Sequence, residues 1–469
     1  APSPMIGESV SRKDLHEPVD WQSIVTPLDV QQIGATSSYL RLWLGYEVTE
    51  TGVEFQCELA NGQTASFRLD VVRPDIVRVR MNPDVIRHGR SDMLVPDAQT
   101  EPGPLDSSLG WPTPSFDVEL QDDCLVLNTE SLCLKFPRFP WHMRVFDAQV
   151  PDQSAPFFQQ RFDDRAYGPA YEVPPTGFDT GRDGRLTVRE TVAVTPGEAF
   201  YGFGERFTPL DKWSQELVSW TVDSGNVSSY RSYKNIPFFM STRGYGVFLN
   251  HSSRISCWVG SLCAADLQVA VEDDFLDSYL IVGDLKEILS QYTDITGKGE
   301  VPPLWSFGFW QSKISYSAAD ESLEVVRKMR EAEVPMDVLH LDTHWFKEDW
   351  YCDLEFSRER FPDPEGFIAE LAGMGVKLSL WQLPYIPEGS KLFEDLAAVD
   401  GFVKRADGEI YDVGICMTPG FQGVVGCVDY TNPEGRRVHQ EHFRRLFEMG
   451  ASVIKVDFGE QAPLDGVYH

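Results

Sequence analysis

Residues 452–461 read SVIKVDFGEQ, and this stretch decides how the C-terminal part of the chain folds. Residues 452–456 form a short run typical of a buried strand, which leads directly to the carboxylate of Asp457. A helical pattern precedes the run, with Asn432-Pro433 as N-cap and first-turn proline and Gly450 at the helix end. A helix followed by a strand that ends in an acid is typical of a parallel α/β unit.

The same unit recurs upstream of residue 452. Three more segments predict strands: WSFGFWQ at 305–311, DVLHLD at 337–342 and VKLSLW at 376–381. Helices are predicted between them, one with Ser317 and Asp320 as a capping box and one from Asp363-Pro364 to Gly375. The order βαβαβαβ with nearly continuous apolar strands predicts a parallel sheet covered by helices.

Two architectures fit this order: an open doubly wound sheet and a (β/α)8 barrel. No glycine-rich dinucleotide fingerprint follows the first strand, which favours the barrel. We predict that four side chains lie at the carboxyl ends of the strands, where barrel active sites form: Trp310, Asp342, Trp381 and Asp457. Four strands are half of such a barrel, and half a barrel leaves two unpaired edges. We therefore expect that the chain ends mid-barrel, by a proteolytic nick or a truncation, and that a second chain completes the barrel.

The preceding part of the chain has the pattern of an all-β domain. Residues 53–72 contain two strand-like runs around Asn61-Gly62, a type I′ hairpin signal. Residues 75–81, DIVRVRM, alternate apolar and basic side chains as a half-buried strand does. These patterns predict a β-sandwich domain over residues 1–283. Residues 284–469 are predicted to form the half barrel, including a linker helix that starts after Asp284.

Charge limits the classes of partner. The chain of 469 residues has 41 Lys and Arg against 72 Asp and Glu, a net charge of −31. Phosphate-rich partners require basic surfaces, so nucleic acid and anionic membranes are disfavoured, whereas a neutral substrate is compatible. No run of eighteen apolar residues is present, so no membrane span is predicted.

Several features together favour a secreted glycoprotein with disulfides. The chain has eight cysteines, and three pairs are close in sequence: Cys124 and Cys133, Cys257 and Cys263, Cys416 and Cys427. Sequons occur at Asn226 and Asn250. The chain begins APSP without an initiator methionine, which is compatible with a processed form. The sequence leaves the disulfide pairing and the oligomeric state open, a homo-oligomer included.

The predicted strand ends carry groups suited to sugar chemistry. Lys455 and Asp457 lie two apart on a strand and so face the same side, where the lysine favours an ionised carboxylate that can act as a nucleophile. The alternative is a structural ion pair. Asp342 is followed by Thr343-His344-Trp345, and an acid among aromatics can bind hydroxyls while the rings cover C–H faces. The alternatives are a turn acid with core aromatics, and a packing role for Trp381.

The stretch HLDTH also permits metal chemistry. His340, Asp342 and His344 would share one face if the strand continued that far, as in a metal-dependent hydrolase. No further cluster of histidines or acids with ligand spacing completes the set. No metal and no cofactor is therefore predicted.

Five long motifs together resemble glycoside hydrolase family 31, and its α-xylosidase branch in particular. They occur in the family's order: YGFGERFTPLDKWSQ at 201–215, YKNIPFFMSTRGYGVFLNH at 233–251, VPPLWSFGFWQS at 301–312, FPDPEGFIAELAGMGVKLSLW at 361–381 and IKVDFGE at 454–460. The resemblance covers most of the chain from about residue 50. It implies a retaining exo-α-glycosidase with an N-terminal β-sandwich, a (β/α)8 barrel and C-terminal β-domains.

The resemblance also implies roles for individual residues. Asp457 would be the nucleophile, Lys455 and Asp342 would bind hydroxyls of the terminal sugar, and Trp381 would wall its subsite. The motif SWTVDSG aligns with a sandwich loop whose acid reaches the site in the α-xylosidase branch, which makes Asp223 a candidate. The other residues predicted to contact substrate are Thr343, His344, Trp345 and Trp310. In the family the acid/base residue lies on a later strand, so it is expected outside this chain.

The predicted reaction is release of α-linked xylose from non-reducing ends of oligosaccharides such as xyloglucan fragments, by double displacement. Bacterial α-xylosidases of the family have Cys-Phe after the acid of the second strand, where this chain has Thr343-His344. A pocket that admits glucose must leave room for a hydroxymethyl group that xylose lacks, and Thr-His is compatible with either sugar. An α-glucosidase is therefore the alternative, and a carbohydrate-binding relative without catalysis is a more distant one.

Overall fold

The computed structural model describes residues 37–84, 86, 93–94, 115–151, 155–162, 173–181, 184–224, 231–414 and 417–469. The predicted sequon at Asn226 and the cysteine Cys416 lie outside these residues. The chain divides into two compact units between Gly299 and Glu300. No described helix is long and apolar enough to cross a membrane.

The first unit is built from antiparallel strands. Within the described residues these are β1 Ser38–Val48, β2 Gly52–Leu59, β3 Thr64–Arg73, β4 Ile76–Asn82, β5 Asp117–Gln121, β6 Cys124–Asn128, β7 Leu132–Pro137, β8 Arg144–Asp147, β9 Phe158–Gln159, β10 Gly177–Thr180, β11 Leu186–Ala193, β12 Phe200–Gly202, β13 Gln215–Ser219, β14 Phe238–Ser241, β15 Tyr245–Leu249, β16 Ile255–Val259, β17 Asp266–Val271 and β18 Leu276–Val282. Strands β5 to β9 form a five-stranded sheet in chain order, and the others form a thirteen-stranded sheet.

The five-stranded sheet packs face to face on the large sheet. Phe136 of β7 lies 5.0 Å, between ring centroids, from Phe55 of β2. Trp141, after β7, lies 4.8 Å from Phe67 of β3. These rings belong to one buried apolar core shared by both sheets. The predicted β-sandwich is confirmed, because alternating side chains of both sheets interdigitate between them.

The hairpin predicted at Asn61-Gly62 forms between β2 and β3, with Val53 opposite Leu69. Its turn differs from the type I′ expected. Gly62 has a φ of 83°, whereas Asn61 is not among the residues with positive φ. A type I′ turn needs positive φ at both central residues. Leu59 N–H instead donates to the Gln63 carbonyl at 2.8 Å, which closes a longer loop.

Helix α1, Leu285–Thr296, belongs to the first unit. Its N-cap Asp284 and Glu287 form a complete capping box. Ile288 and Ile295 are buried in a cluster with Phe238 and other sheet residues. The predicted domain boundary at 283/284 grouped this helix with the barrel, but its apolar face is buried on the sheet.

The second unit contains a parallel four-stranded sheet and its helices. The elements are β19 Trp310–Lys313, α2 Ala319–Glu331, β20 Val338–Leu341, α3 Pro364–Gly373, β21 Lys377–Gln382, β22 Tyr385–Pro387, α4 Lys391–Ala397, β23 Val425–Cys427, α5 Pro433–Glu448 and β24 Val453–Val456, preceded by a 3₁₀ turn at Leu304–Phe307. The parallel sheet has the order β19-β20-β21-β24, and β22 pairs with β23 in the excursion between β21 and α5. The four predicted strands and their parallel order are confirmed. Closure of a barrel requires further strands and is not shown by these four.

The helix starts follow the predicted capping chemistry in two cases and differ in a third. Asp363 caps α3 by accepting from Gly366 N–H, and Asn432 caps α5 by accepting from two backbone N–H groups. At α2 the predicted partner of Ser317 was Asp320, but Glu321 accepts from both the backbone N–H and the hydroxyl of Ser317. The helix begins at Ala319, one residue later than a capping box at Ser317 requires. The acid that bonds Ser317 is therefore Glu321, one position after Asp320.

Two observations do not support the prediction of disulfides and of a glycan at Asn250. No described cysteine is in a disulfide. The β6–β7 register places Cys124 opposite Pro137 and Cys133 opposite Asn128, so these two thiols do not face each other. The side chain of Asn250 is buried, and its amide donates to Asp277 Oδ2 at 2.8 Å. A buried, hydrogen-bonded amide leaves no room for a glycan, so the sequon at Asn250 is not available in this fold.

Candidate active site

The strand register brings four predicted residues to one end of the parallel sheet. Trp381 of β21 lies opposite Lys455 of β24, and Leu341 of β20 lies opposite Leu380. Asp342 and Asp457 directly follow β20 and β24. All four side chains therefore lie at the carboxyl edge of the sheet, where ligand sites of parallel sheets are found.

The carboxylate of Asp457 is contacted by two other side chains at this edge. Its Oδ2 accepts a 2.8 Å hydrogen bond from Trp381 Nε1 and lies 3.4 Å from Lys455 Nζ. Its backbone N–H donates to the Gln382 carbonyl at 2.9 Å, which continues the pairing of β24 with β21. The Phe458 N–H donates to its Oδ1 at 3.3 Å, and the side chain is 38% exposed, so the carboxylate is held by three donors and still reaches solvent. Such an arrangement suits a nucleophile better than a buried structural acid.

Lys455 joins the two acids of the edge. Its Nζ is 3.4 Å from Asp342 Oδ2 and 3.4 Å from Asp457 Oδ2. The ammonium is 44% exposed, so each ion pair is weakened by solvent. One cation between two carboxylates nevertheless reduces their mutual repulsion and leaves both as acceptors for sugar hydroxyls.

Asp342 is held more tightly than Asp457. His340 Nε2 lies 3.0 Å from its Oδ2, and the Thr343 N–H donates to its Oδ1 at 3.1 Å. Partial burial acts to raise the pKa of Asp342. The hydrogen bond from His340 and the charge of Lys455 outweigh burial, so the pKa lies below its usual value. Asp342 is therefore an ionised acceptor and not a proton donor.

Trp381 contacts the site through its indole N–H and not through an open ring face. The side chain is fully buried, packed edge-on against Trp350 at 5.2 Å and Phe346 at 6.0 Å. Its predicted role as a wall of the sugar subsite is corrected, because no part of the ring is exposed in this structure. The indole instead orients Asp457.

The turn after Asp457 has a strained backbone, which is held by a side chain of β22, the strand in the segment between β21 and α5. Phe458 has a φ of 59° and Gly459 a φ of 116°. Positive φ is costly for phenylalanine, so the surrounding contacts must hold this backbone. Tyr385 Oη accepts from Gly459 N–H at 3.1 Å and from Gln461 N–H at 3.0 Å. Sequence reasoning missed Tyr385, since nothing local links β22 to this turn.

Thr343 and Trp345 are too buried to contact a sugar. Thr343 is 1% exposed, and its hydroxyl donates to Asp349 Oδ1 at 2.8 Å. Trp345 is 1% exposed and packs 4.4 Å from Phe346, with Nε1 donating to the Trp381 carbonyl at 2.9 Å. Their predicted substrate contacts are corrected, because both side chains turn into the core. His344 is partly exposed, and its Nδ1 lies 3.5 Å from Asp349 Oδ1.

Trp310, which was also predicted to lie at this edge, is not there. Trp310 is the first residue of β19, opposite Val338, and therefore lies at the amino end of the sheet. Its indole N–H donates to the Ser306 carbonyl at 3.0 Å. The prediction of Trp310 at a carboxyl end was wrong, because β19 starts later in the chain than its apolar run. Asp223 is an exposed residue of the first unit, four residues after β13.

The metal alternative is not supported by the side chains of HLDTH. His340 is hydrogen-bonded between Asp342 and Ser379, while His344 faces Asp349. Among the residues that the structure describes, no group of three or more His, Cys, Asp or Glu is arranged to hold a metal ion. The sequence suggested His340 only as a possible metal ligand, and its contact with Asp342 was not predicted.

Two family models match the chain, one in each unit. Residues 66–257 match the glycosyl hydrolase 31 N-terminal galactose mutarotase-like domain. Residues 299–468 match the glycosyl hydrolases family 31 TIM-barrel domain.

Curated relatives and a solved structure resemble the chain over long stretches. Alpha-xylosidase XylQ of Lactiplantibacillus pentosus is 38% identical over 285 residues, 60% of this chain and 36% of that protein. An alpha-xylosidase of Emericella nidulans is 37% identical over 280 residues, 59% of this chain and 35% of its own. The fold resembles that of a GH31 dextranase of Flavobacterium johnsoniae complexed with glucose, with a TM-score of 0.76 and 22% identity over 92% of this chain and 50% of that one.

The chain thus spans 36% and 35% of the two α-xylosidases that it matches. The matches in both units agree with each other and with the order of elements in the structure. The chain carries an N-terminal domain and a TIM-barrel domain of glycoside hydrolase family 31, and it belongs to that family.

Proposed function

We propose that this chain is part of a retaining exo-α-glycosidase that releases α-linked xylose from non-reducing ends of oligosaccharides such as xyloglucan fragments. The observation that carries the proposal is the carboxylate of Asp457 at the carboxyl edge of the sheet. It is oriented by Trp381 N–H at 2.8 Å and balanced by Lys455 at 3.4 Å. The α-xylosidases at 37–38% identity support the choice of sugar.

The proposed reaction has two displacements. Asp457 attacks the anomeric carbon, and the glycosidic C–O bond breaks as the leaving oxygen takes a proton from a second carboxylic acid. The same second group then removes a proton from water, which attacks the anomeric carbon and releases Asp457. Two inversions retain the configuration of the sugar. Lys455 and Asp342 would bind hydroxyls of the terminal sugar and hold it against Asp457.

The proton donor must be a different group from Asp342. A general acid has to be protonated before it acts, and the pKa of Asp342 is lowered by His340 and Lys455 despite its partial burial. We propose that the acid/base residue lies on a segment outside residues 1–469 that completes the barrel, on a second chain or in the remainder of a longer one. Its carboxyl group should lie about 5–5.5 Å from Asp457, as in other retaining enzymes.

An α-glucosidase is the second candidate. The segment after Asp342 carries His344, a polar and partly exposed side chain whose Nδ1 lies 3.5 Å from Asp349 Oδ1. A polar wall can bind the hydroxymethyl group of glucose, whereas an apolar wall would exclude it. The identity to α-xylosidases favours xylose, and the labelling experiment below decides between the sugars.

The test is covalent trapping of the nucleophile in the full-length protein. Samples are incubated with 5-fluoro-α-D-xylosyl fluoride or its glucosyl analogue, and denatured masses and labelled peptides are measured. We expect a xylosyl adduct on Asp457 and none in Asp457→Asn. Asp465→Asn is the matched control, since this acid bonds Tyr411 near the same segment and should leave labelling intact.

Each outcome has a distinct meaning. Preferential glucosyl labelling would replace xylose by glucose as the substrate. An adduct on another residue would remove Asp457 from its role. No adduct from either reagent would favour a binding protein without catalysis, and activity lost to a chelator would favour a metal-dependent hydrolase. The same mass spectra report any companion chain.

A further inference from the structure

A hydrogen-bonded series of side chains lies beneath the site, on the strands themselves. Ser379 Oγ is 2.9 Å from His340 Nδ1, and His340 Nε2 is 3.0 Å from Asp342 Oδ2. We propose that His340 is a positioning residue, a neutral imidazole with its proton on Nε2, which Ser379 locks in that tautomer so that Asp342 stays a fixed acceptor for a sugar hydroxyl. This inference rests on the proposed function.

The strand geometry makes these contacts direct. His340 and Asp342 are two residues apart, so both side chains leave β20 and its end on the same face. Ser379 is the register partner of His340 on β21. His340 is 7% exposed and Ser379 is 0% exposed, so water does not compete for their polar atoms. Buried polar atoms must then satisfy one another.

The tautomer follows from counting donors. Ser379 Oγ makes its hydrogen bond with His340 in the described part of the chain. A buried hydroxyl proton pointing elsewhere would be left without an acceptor, which is costly. The hydroxyl therefore donates to Nδ1, and the imidazole proton must be on Nε2, where it donates to the carboxylate of Asp342.

The charged groups around Asp342 show why His340 is needed to keep its carboxylate ionised and in place. The groups that face Asp342 are His340 on its own strand and Lys455 on β24, and Lys455 also faces Asp457. Ser379 on β21 and Ser312, the register partner of His340 on β19, carry no charge. Without His340, Asp342 would keep the Thr343 N–H on Oδ1, and its Oδ2 would depend on a lysine that it shares with Asp457. Its pKa would rise because partial burial would be opposed by fewer partners, and its carboxylate would be held less firmly.

The main test uses three variants of the full-length protein with p-nitrophenyl α-xyloside. His340→Leu removes the donor, and His340→Gln keeps an amide donor near the position of Nε2. His442→Leu is the matched control, because it removes another buried His–Asp contact, His442 Nε2 to Asp395 Oδ2 at 3.1 Å, between α4 and α5. We measure kcat and KM as functions of pH, together with Tm.

For His340→Leu we expect kcat/KM to fall about tenfold to a hundredfold, since a hydrogen bond to a charged group is lost. The loss should appear mainly in KM, and the acidic limb of the kcat/KM profile should move to higher pH. His340→Gln should recover most of the loss. His442→Leu should lower Tm without moving the profile. A profile for His340→Leu that matches the control, or no recovery with glutamine, would overturn the proposal.

A second measurement does not depend on activity. With ¹⁵N-labelled histidine, the ring signals of His340 are identified by their loss in His340→Gln. We expect a neutral ring with the proton on Nε2, and a mixture of tautomers in Ser379→Ala. A charged ring or an Nδ1 proton in the wild type would contradict the inference. If the wild type hydrolyses no α-xyloside or α-glucoside, the proposed function fails, while this measurement still decides the tautomer.

Discussion

Trp381 and Asp457 are joined across neighbouring parallel strands by a 2.8 Å hydrogen bond from the indole N–H to the carboxylate. The indole is fully buried, so its direction is set by the core and not by solvent. The other oxygen, Oδ1, accepts a longer bond from the Phe458 N–H at 3.3 Å, so rigid donors on both sides fix the direction of the carboxylate, as in a preorganised site. Trp381 therefore contributes both to the packing of the core and to the orientation of the Asp457 carboxylate.

Trp381→Phe keeps most of the ring but removes the N–H. We expect kcat/KM to fall about tenfold to a hundredfold, because a hydrogen bond to a charged group is lost, with little change in far-UV circular dichroism. Trp43→Phe is the matched control, since it removes another indole bond, Trp43 Nε1 to the Phe136 carbonyl at 3.3 Å, in the first unit. Equal kinetics of the two variants would argue against the orienting role.

Lys455→Met removes the cation shared by Asp342 and Asp457. The charge of Lys455 is one of the causes that hold the pKa of Asp342 low against its partial burial, so that pKa should rise. The acidic limb of the kcat/KM profile should therefore move to higher pH, and turnover should fall at every pH. Lys328→Met, which removes an exposed pair with Glu324 on α2, is the control. A pH profile unchanged from the wild type would contradict the shared role of the lysine.

Tyr385→Phe removes the acceptor of two backbone N–H groups in the turn after the nucleophile. The phenol accepts from Gly459 and Gln461, and the turn includes Phe458 at positive φ. We expect a lower kcat and a stability loss of about 1–3 kcal/mol, the usual cost of leaving buried groups unpaired. Tyr411→Phe, which removes a bond to Asp465 at 2.8 Å, serves as the comparison. If both variants lose activity equally, the turn is not specially dependent on Tyr385.

Two buried acids predict a dependence of stability on pH. Burial raises the pKa of Asp353 from 3.8 to about 7 and that of Glu190 from 4.5 to about 7. The unfolded chain ionises first as pH rises, so the stability that these groups contribute is complete below their unfolded pKa and is lost as pH approaches 7. Asp353→Asn and Glu190→Gln should therefore raise Tm more at pH 8 than at pH 4.

Thermal unfolding followed from pH 4 to pH 8 measures this effect. Asp465→Asn is the control, because this acid bonds Tyr411 and is exposed. A gain in Tm that is independent of pH would mean that the amides act by packing alone. A gain confined to pH 4 would reverse the sign of the argument.

Local signals in the sequence predicted the four parallel strands and the helices between them, but not β22, α4 and β23 in the excursion. The four strands, their helical connections and the caps at Asp363 and Asn432 were predicted, since each depends on a few neighbouring residues. The family motifs also predicted that Asp342, Lys455 and Asp457 are site residues at the strand ends. Their gathering at one edge follows from parallel pairing in chain order.

The sequence by itself determined the four parallel strands, the caps at Asp363 and Asn432, the family, and the acids that follow two of the strands, because these follow from periodicity and from motifs of a few residues. Only the tertiary structure decided which side chains the neighbouring strands cover. Strand pairing placed Trp310 at the opposite end of the sheet, and core packing buried Trp345 and Asn250. It also paired His340 with Ser379, 39 residues away in the chain. Such contacts depend on register and packing between distant segments, for which no local pattern exists.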